Sequence, residues 1–338
     1  MHILLFTPFL LVAQPPDHAL TGGLSDTIKI QALPGTSTLP AFSASGFNNL
    51  ATNPDRAKPS QGRRWLVGGA SLAAYGGSFV FLNAAWYRDY QRSGFHTFDD
   101  SGEWQQVDKV GHAWSAAVSA SLTTRAWQWA GVPRRQSVWL GAGTSLAYLL
   151  SIEYLDGRSE QWGWSWADVA ADVFGTGLFA AQELGWKEQR ISLKYSAHTK
   201  SYDPSVRSRA NNLYGTSLPE RLLKDYNAQT YWLSFNMASL AGSEALPPWL
   251  NVAIGYGAEG MFGGYENLAR DKDGNIVFDR RDIKRYRQWY LAPDLDLTRI
   301  PTKKKWLKTA FFVLNHIKFP APALELSGGK LRLRGVGF

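Results

Sequence analysis

The sequence predicts an α+β fold, in which a helical N-terminal domain is followed by a β-rich C-terminal region with one further helix. Between residues 63 and 186, long stretches of Ala, Ser, Gly and apolar residues show no strand-like alternation, which favours helices. From residue 187 to residue 338, short segments alternate apolar and polar residues, as half-buried strands do. With 338 residues, of which 45% are hydrophobic, the chain can bury a large core.

Two segments precede the helical domain. The apolar run from Ile3 to Ala13 has the length of a secretory signal and is too short to span a bilayer, so we predict an export signal over residues 1–14. Residues 15–62 are rich in Pro, Gly, Ser, Thr and Asn without periodicity, which predicts a flexible segment.

The helical domain, residues 63–186, is predicted to be a bundle of four helices. Residues 65–86 carry no charge, have aromatic ends and are flanked by arginines, which favours a helix embedded in a membrane over the central helix of a soluble bundle. Three further helices are expected over residues 109–130, 136–155 and 165–183, all rich in small residues that allow close helix packing.

The C-terminal region, residues 187–338, is predicted to consist mostly of strands. Alternating segments cover residues 190–198, 231–237, 250–256, 285–297, 323–326 and 331–333. Ser327–Lys330 contains two successive glycines and predicts a hairpin turn between the last two strands. Residues 303–316 join three lysines to an apolar run and predict the additional helix.

Charge and cysteine usage restrict the class of function. The net charge is +8, but the basic residues are scattered and form no base-reading motif, so we predict no nucleic-acid partner. The densest run, Lys303–Lys305, leads into apolar residues 310–314, which favours contact with anionic membrane lipid. The sequence has no cysteine, which excludes disulfides, thiolate chemistry and lipid attachment through a cysteine.

An aspartate and a histidine lie four residues apart at the start of the second predicted helix. Asp108 and His112 would share one helix face, a spacing that suits a pair of metal ligands or an acid–base dyad. Alternatively, Asp108 is the N-cap of this helix and His112 is a buried polar residue held by a neighbour. Both interpretations are open at the level of sequence.

Two more aspartates lie in the fourth predicted helix. Ser165 and Asp168 have the spacing of a capping box, which gives Asp168 a structural role at the positive end of the helix dipole. Asp172 lies one turn deeper, among apolar residues, where neither capping nor the dipole explains a carboxylate. Asp172 is therefore the acid most readily assigned a function.

A glutamate closes the otherwise apolar third helix. A buried carboxylate at Glu153 needs a partner, and the cations considered for it are Lys109, His112, Arg125 and Arg158. An ordinary ion pair and a role in a site are equally compatible with its position.

These residues define the candidate site. The candidate catalytic residues are His112, Asp172 and Glu153, and the candidate metal ligands are Asp108, His112, Asp168 and Asp172. A divalent metal is the cofactor that such residue types would suit. The sequence contains no nucleophile elbow, phosphate-binding loop or His-Glu-x-x-His motif, so no motif selects a reaction.

The same residues resemble the YfiM-like family, a domain of unknown function in bacterial envelope proteins. The matching features are Asp108–His112, Glu153, Asp156 and Ser165–Asp172 with Gly175. Residues 220–232 and 285–294 are similar to segments of a larger Gram-negative version of this family, so the resemblance covers about residues 65–335. The Asp-Lys-x-x-His opening is also distantly similar to the VanZ-like membrane family, implicated in glycopeptide resistance.

Both resemblances imply a cell-envelope protein that faces the periplasm and associates with a membrane, inner or outer. The smaller YfiM-like proteins are predicted periplasmic lipoproteins, and this chain departs from them because it has no cysteine to carry a lipid. Neither family implies an established reaction.

Two functions follow from these observations. The first is a non-catalytic structural or scaffolding protein of the envelope, whose membrane-associated helical bundle holds the candidate residues as a buried polar network. The second is an envelope hydrolase that acts on a lipid-linked or phosphorylated cell-wall precursor. In the hydrolase, His112 would be the general base or a metal ligand, and Asp172 and Glu153 would orient it or hold a cation.

Overall fold

The computed structural model describes residues 59–82, 92–160, 162–271 and 273–337. The predicted export signal, residues 1–14, and residues 15–58 of the predicted flexible segment lie outside this range. The described residues form four long helices, four shorter ones and two antiparallel sheets, so the mixed α+β fold is confirmed.

The helical domain contains four long helices, of which the last three form its centre. The long helices are α1 (Gln61–Leu82), α2 (Val107–Trp129), α3 (Arg134–Asp156) and α4 (Trp166–Gly185). The last three begin and end within about two residues of the predicted positions and pack on one another. A glycine allows the closest approach, because a Cβ on Gly175 of α4 would lie 1.9 Å from the backbone oxygen of Ala113 in α2.

Helix α1 lies beside α2 and α3. Tyr75 Oη is 3.0 Å from Thr123 Oγ1, and Ser78 Oγ is 2.7 Å from Tyr148 Oη. Its five glycines and two serines lower its hydropathy, and no helix among the described residues is long and apolar enough to cross a membrane. The bilayer span expected over residues 65–86 is therefore not found over residues 65–82, and residues 83–86 lie outside the described part.

The larger sheet contains six antiparallel strands. In order across the sheet they are β1 (Ile191–Ala197), β2 (Gln229–Asn236), β3 (Leu250–Glu259), β6 (Tyr286–Leu295), β7 (Ala321–Ser327) and β8 (Lys330–Gly337). All the predicted strands are present. The strand expected over residues 285–297 ends at Leu295, because the Asp296 side chain accepts a hydrogen bond from Thr298 N at 3.0 Å and starts a short 3₁₀ turn.

The predicted helix over residues 303–316 is α8 (Lys305–Leu314). The elements that the sequence did not predict are α5 (Pro204–Tyr214), α6 (Leu218–Lys224), α7 (Met237–Ala241) and the hairpin of β4 (Leu268–Arg270) with β5 (Ile276–Asp279). The start of α6 could have been recognised from a local sequence motif. Ser217 and Glu220 form a reciprocal capping box at the start of α6, which is a Ser-x-x-Glu pattern in the sequence.

The six-stranded sheet is strongly curled. At the outer edge of β1, Tyr195 N donates to His316 O and Lys318 N donates to Tyr195 O. Three residues after Lys318, at Ala321, the chain enters β7, which pairs with β6. In the strand order, β2, β3 and β6 lie between β1 and β7. Three peptide units reach only about 11 Å, whereas strands about 4.8 Å apart would separate these positions by roughly 24 Å in a flat sheet. The sheet must therefore bend towards itself.

The curl gives the sheet a polar concave face and an apolar convex face. On the concave face, Lys194 Nζ of β1 lies 2.8 Å from Asp294 Oδ2 of β6, across two intervening strands. On the convex face, Tyr195 and Tyr231 pack against α2 through Trp114, whose ring centroid lies 5.2 Å from that of Tyr195. This contact joins the helical domain to the sheet.

Candidate functional site

The candidate site lies at the start of α2, where the chain enters the helix through an unusual turn. Trp104, Gln105 and Gln106 have φ angles of 49°, 53° and 63°, in the left-handed region that costs a non-glycine residue roughly 1–2 kcal/mol. The sheet holds this turn in place. Tyr256 Oη donates to Gln105 O, and Arg287 Nη2 donates to Gln106 Oε1 at 2.5 Å. Strands β3 and β6 thus position the first turn of α2.

Lys109 is the centre of an ionic cluster in that first turn. Its Nζ lies 2.6 Å from Asp100 Oδ2 and 2.7 Å from Asp168 Oδ1. The third carboxylate is that of Asp108, with Oδ2 at 3.1 Å. One ammonium group therefore joins a loop, α2 and α4.

Asp108 does not cap α2, so that prediction was wrong. The helix begins at Val107, and the residue at the N-cap position, Gln106, makes no side-chain cap. The left-handed entry turn sets this register, which places Asp108 inside the first turn. Its carboxylate accepts a hydrogen bond from Tyr226 Oη at 2.6 Å, which links the site to the segment that precedes β2.

His112 is buried between three helices, with 3% of its surface exposed. Its Nδ1 lies 3.1 Å from Asp172 Oδ1 on α4 and 3.9 Å from Glu153 Oε1 on α3. Its Nε2 lies 3.5 Å from Asp168 Oδ1, also on α4. The structure therefore brings all five predicted site residues to one cluster.

Ser165 is the N-cap of α4, as predicted. Its Oγ accepts from Asp168 N at 3.0 Å and donates to Asp100 Oδ1 at 2.5 Å. Its own backbone N donates to Glu153 Oε2 at 3.4 Å, in the place where a capping box would use Asp168. The Asp168 carboxylate is thereby left to face Lys109 and His112.

Of the cations considered for Glu153, the one that lies beside it is His112, at 3.9 Å from Nδ1 to Oε1, rather than either arginine. Arg125 instead lies over the ring of Phe312, at 5.6 Å from its centroid, and Arg158 is exposed at the surface. Glu153 itself is buried, with 2% of its surface exposed.

Burial shifts three acids of this cluster, Glu153, Asp168 and Asp172, towards their protonated forms. It raises the pKa of Glu153 to about 9, because the attraction of His112 compensates only in part. Burial likewise raises the pKa of Asp168 to about 7, and that of Asp172 also rises despite its hydrogen bond to His112. Near neutral pH, Glu153 is therefore a neutral carboxylic acid.

The pKa values of the two cations in the cluster rise, which keeps both groups charged. Burial disfavours the imidazolium, but Asp168 and Asp172 outweigh it and raise the pKa of His112 well above its usual value. Burial opposes the Lys109 ammonium as well, yet Asp108 and Asp168 raise its pKa. Burial would raise the pKa of Asp108, but Lys109 and His112 hold it well below its usual range.

The geometry also brings together two sets of potential metal ligands. One nitrogen or oxygen atom from each of Asp108, His112 and Asp168 lies within 4.8 Å of the others, and the same is true of His112, Glu153 and Asp172. Within the described part of the chain, the buried Asp172 Oδ2 has no hydrogen-bond donor. Imidazole and carboxylate groups at these separations suit a divalent cation.

Sequence reasoning missed two participants in the site. Asp100 lies in a loop without a periodic pattern, and Tyr226 lies 118 residues from its partner Asp108. Neither position carried a signal in the sequence. Lys109 was named only as a possible partner of Glu153, although it pairs with three aspartates.

A cavity of about 150 Å³ lies elsewhere, between α2, α4, β1 and α8. Its lining includes Arg125, Arg299, Lys308 and His316, and none of the five candidate residues. The cluster around His112 therefore does not line this cavity.

The comparisons with known proteins bear on the region that contains the site. A model of the family described as predicted periplasmic lipoprotein (DUF2279) matches residues 96–182. This segment includes α2 and α3, most of α4 and every candidate site residue. No curated protein and no solved structure matches the chain.

The matched segment is similar to an uncharacterised family of envelope proteins. The protein is a component of the cell envelope. Its periplasm-facing, membrane-associated location, expected from the sequence, agrees with the description of this family. The finer resemblance to the YfiM-like and VanZ-like families stays a prediction.

Proposed function

We propose that the protein is a structural or scaffolding component of the cell envelope, in which the buried network around His112 fixes the helical domain. The observation that carries this proposal is the position of the His112 ring. It belongs to α2, is 3% exposed, and lies beside one carboxylate of α3 and two of α4. Such a residue sets the relative register of three helices.

The network reaches beyond these helices. Lys109 adds the loop at Asp100, and Asp108 adds Tyr226 from the C-terminal region. Breaking a buried ionic arrangement by removing one partner costs about 3–5 kcal/mol, because an uncompensated charge is left behind. The cluster therefore makes the helical domain and the sheet interdependent.

We further propose that α1 completes a four-helix bundle that lies against a membrane. Two side-chain contacts support it, Tyr75 with Thr123 of α2 and Ser78 with Tyr148 of α3. The outer side of α1 carries exposed apolar residues, including Trp65, Leu72 and Val80, which suit a lipid surface.

The second candidate function is the envelope hydrolase acting on a lipid-linked or phosphorylated cell-wall precursor. The ligand-like grouping of His112, Glu153 and Asp172, together with the unsatisfied Asp172 Oδ2, favours it. In this role the three residues would hold a divalent cation that activates water.

Glu153→Gln separates the two candidates, because glutamine copies the neutral acid and keeps its hydrogen bonds but is a poor metal ligand. A scaffold predicts unchanged thermal stability at pH 5, where folded Glu153 holds its proton, and full complementation of a deletion strain in an envelope-integrity assay. Glu103→Gln, at a half-buried glutamate outside both ligand groupings, is the matched control.

The opposite pattern supports the hydrolase. In that case, the Glu153→Gln protein folds normally but loses complementation, and elemental analysis of the purified wild-type protein finds a stoichiometric metal that the variant lacks. Such a result would overturn the scaffold proposal.

A further inference from the structure

One end of the helical domain is formed by helix termini that direct contacts hold together. The start of α1 meets the end of α2, because the Arg63 guanidinium lies 5.0 Å from the centre of the Trp129 ring. The start of α3 meets the end of α4 through the ion pair of Arg134 with Glu183. Since α2 ends at Trp129 and α3 begins at Arg134, all four termini lie at the same end of the domain.

The start of α8 lies at this end as well. Arg299 Nη2, in the segment that leads to α8, is 3.0 Å from Glu188 Oε2, in the segment that follows α4. Lys308 of α8 lines the same cavity as Arg134 of α3. The run Lys303–Lys305, at which the chain enters α8, therefore joins the four helix termini.

Cationic side chains dominate the surface of this end. Its exposed cations are Arg63, Arg135, Lys187, Lys303, Lys304, Lys305 and Lys308. The neighbouring acids Glu183 and Glu188 are already engaged in the two ion pairs with other arginines. The seven cations therefore give a surplus of positive charge, and we refer to the surface that they define as the cationic end.

Four exposed tryptophans lie among these cations. The exposed fraction is 75% for Trp65, 59% for Trp139, 47% for Trp186 and 62% for Trp306. Each is within four residues of one of the seven cations, in or directly after one of the helices α1, α3, α4 and α8. An indole combines a large apolar ring with one N–H donor, which suits the boundary between lipid headgroups and acyl chains. The cationic end thus carries both kinds of side chain that a membrane interface attracts.

The opposite end of the helical domain has the reverse charge. Three aspartates surround Lys109 there, at the starts of α2 and α4, and Asp99 is exposed beside them. An anionic surface would attract the cationic end and repel this acidic end, which fixes the orientation of the domain. A bilayer that contains anionic lipid offers phosphates to the cations and an apolar layer to the four indole rings.

We propose that the cationic end docks on a bilayer surface that contains anionic lipid. Its lysines and arginines contact the headgroup phosphates, and its four tryptophans enter the boundary between headgroups and acyl chains. The helices then stand with these termini on the membrane and with the network around His112 on the far side. This inference rests on the membrane association within the proposed function and adds to it the contact surface and the lipid class.

Sedimentation of the purified full-length protein with vesicles of phosphatidylethanolamine and phosphatidylglycerol tests the proposal. The informative variant combines Lys303→Gln, Lys304→Gln and Lys305→Gln, which removes three exposed charges from the cationic end. Circular dichroism and thermal melting establish that this lysine variant and its control are folded.

The matched control removes three exposed cations elsewhere, through Arg158→Gln, Lys284→Gln and Lys330→Gln. Arg158 follows the end of α3, at the acidic end of the domain. Lys284 and Lys330 lie near the part of the sheet that contacts the first turn of α2. All three control positions are therefore remote from the cationic end.

We expect wild type and control to bind the anionic vesicles alike, and the lysine variant to bind roughly a hundredfold less tightly, about fivefold for each lysine. Added salt and vesicles of pure phosphatidylcholine should both weaken the binding of the wild type, because each reduces the electrostatic attraction. Equal binding of wild type and lysine variant would overturn the proposal, as would an equal loss in the control.

The tryptophans distinguish docking through the cationic end from contact along the side of the bundle. Trp139→Gln changes an indole of the cationic end, and Trp166→Gln changes one at the start of α4, whose exposed fraction is similar at 66%. We expect vesicle binding at least about fivefold weaker for Trp139→Gln and unchanged for Trp166→Gln. Equal losses would show that the side of the bundle meets the bilayer, which contradicts the proposal.

A second copy is the other occupant to test, because the acidic end of another chain has the complementary charge. Sedimentation velocity without vesicles addresses it, since a wild-type oligomer that the lysine variant dissociates would overturn lipid docking. A wild type that binds no vesicles would overturn it as well. Neither result affects the complementation by Glu153→Gln, which tests the buried network of the proposed function.

Discussion

The helical domain and the concave face of the sheet both bury charged side chains. In the helical domain the acids outnumber the cations, whereas on the sheet the cations outnumber the acids. Around His112, the aspartates at 100, 108, 168 and 172 and Glu153 surround two cations, and burial raises the pKa of three of these acids. On the sheet, two lysines share one aspartate. Lys194 Nζ lies 2.8 Å from Asp294 Oδ2, and Lys318 Nζ lies 3.7 Å from Asp294 Oδ1.

The two regions neutralise their surplus by different means. A carboxylate can take up a proton near neutral pH, whereas an ammonium group needs fixed acceptors. Lys194 accordingly donates to Leu295 O at 2.6 Å, and Lys318 donates to Phe319 O at 2.8 Å and lies over the ring of Trp232. The acidic network adapts through protons, while the basic one depends on fixed partners.

The largest effect is expected where partners are fixed. Asp294→Ala leaves Lys194 and Lys318 buried without a carboxylate, and we expect a loss of about 3–5 kcal/mol in the free energy of unfolding, measured by urea denaturation. Asp282→Ala, which breaks an exposed pair with Arg280, is the control and should leave the free energy of unfolding nearly unchanged, because solvent screens the pair. Equal losses in the two variants would show that the sheet network does not depend on Asp294.

A smaller loss is expected in the acidic network. His112→Ala removes a cation between Asp168 and Asp172, but these acids can accept protons, so we expect a loss of about 3 kcal/mol, below that of Asp294→Ala. Urea denaturation at neutral pH measures both variants. His96→Ala, at a half-buried histidine bonded to Ser93, controls for loss of an imidazole. A loss at His112 that exceeds the loss at Asp294 would reverse the proposed contrast.

The two networks should also differ in their dependence on pH. Glu153 has a folded pKa of about 9 against a usual value of 4.5, so the folded state holds a proton that the unfolded state releases. Its stabilisation is complete below pH 4.5 and is lost as pH rises towards 9. Burial lowers the pKa of Lys318, which gives the opposite sign, with stability lost as pH falls through the folded pKa.

Glu153→Gln tests this assignment because glutamine cannot release a proton. Its urea midpoint should equal that of wild type near pH 5 and exceed it at pH 9, with a difference of at least about 1 kcal/mol. Wild-type and variant curves that stay parallel from pH 5 to pH 9 would show that Glu153 does not hold the proton.

The smallest effect is expected at the helix cap. Ser165→Ala removes the cap of α4 and a hydrogen bond to Asp100, and we expect a loss of about 1 kcal/mol, measured by thermal unfolding. Ser151→Ala, an exposed serine within α3 whose Oγ donates to Ala147 O of the same helix, is the control. A loss as large as that of His112→Ala would mean that Ser165 belongs to the network rather than only to the cap.

Local patterns in the sequence predicted most of the elements and part of the site. The helices α2, α3 and α4 and the six strands follow from periodicity, and each of the three helices supplied an acid or histidine at a recognisable place. The site residues His112, Glu153 and Asp172 could therefore be selected before their contacts were known. Whether they catalyse a reaction stays a prediction.

The errors and omissions arise where distant parts of the chain decide the local structure. Asp108 is not a cap because the left-handed turn at residues 104–106 is held by Tyr256 and Arg287 of the sheet. Asp100 and Tyr226 joined the site without any local signal. The order and curl of the sheet depend on pairings between residues far apart in the chain, which a single sequence does not display.

The segment that covers the outer edge of β1 is made late in synthesis, which affects folding. The outer edge of β1 is covered by residues 316–318, which follow Tyr195 by more than a hundred residues. Until that segment is synthesised and in place, β1 offers unpaired backbone groups to any other strand. Contacts between residues so distant in sequence form late, so a chain interrupted before His316 should be prone to aggregation through β1 even if the helical domain has folded.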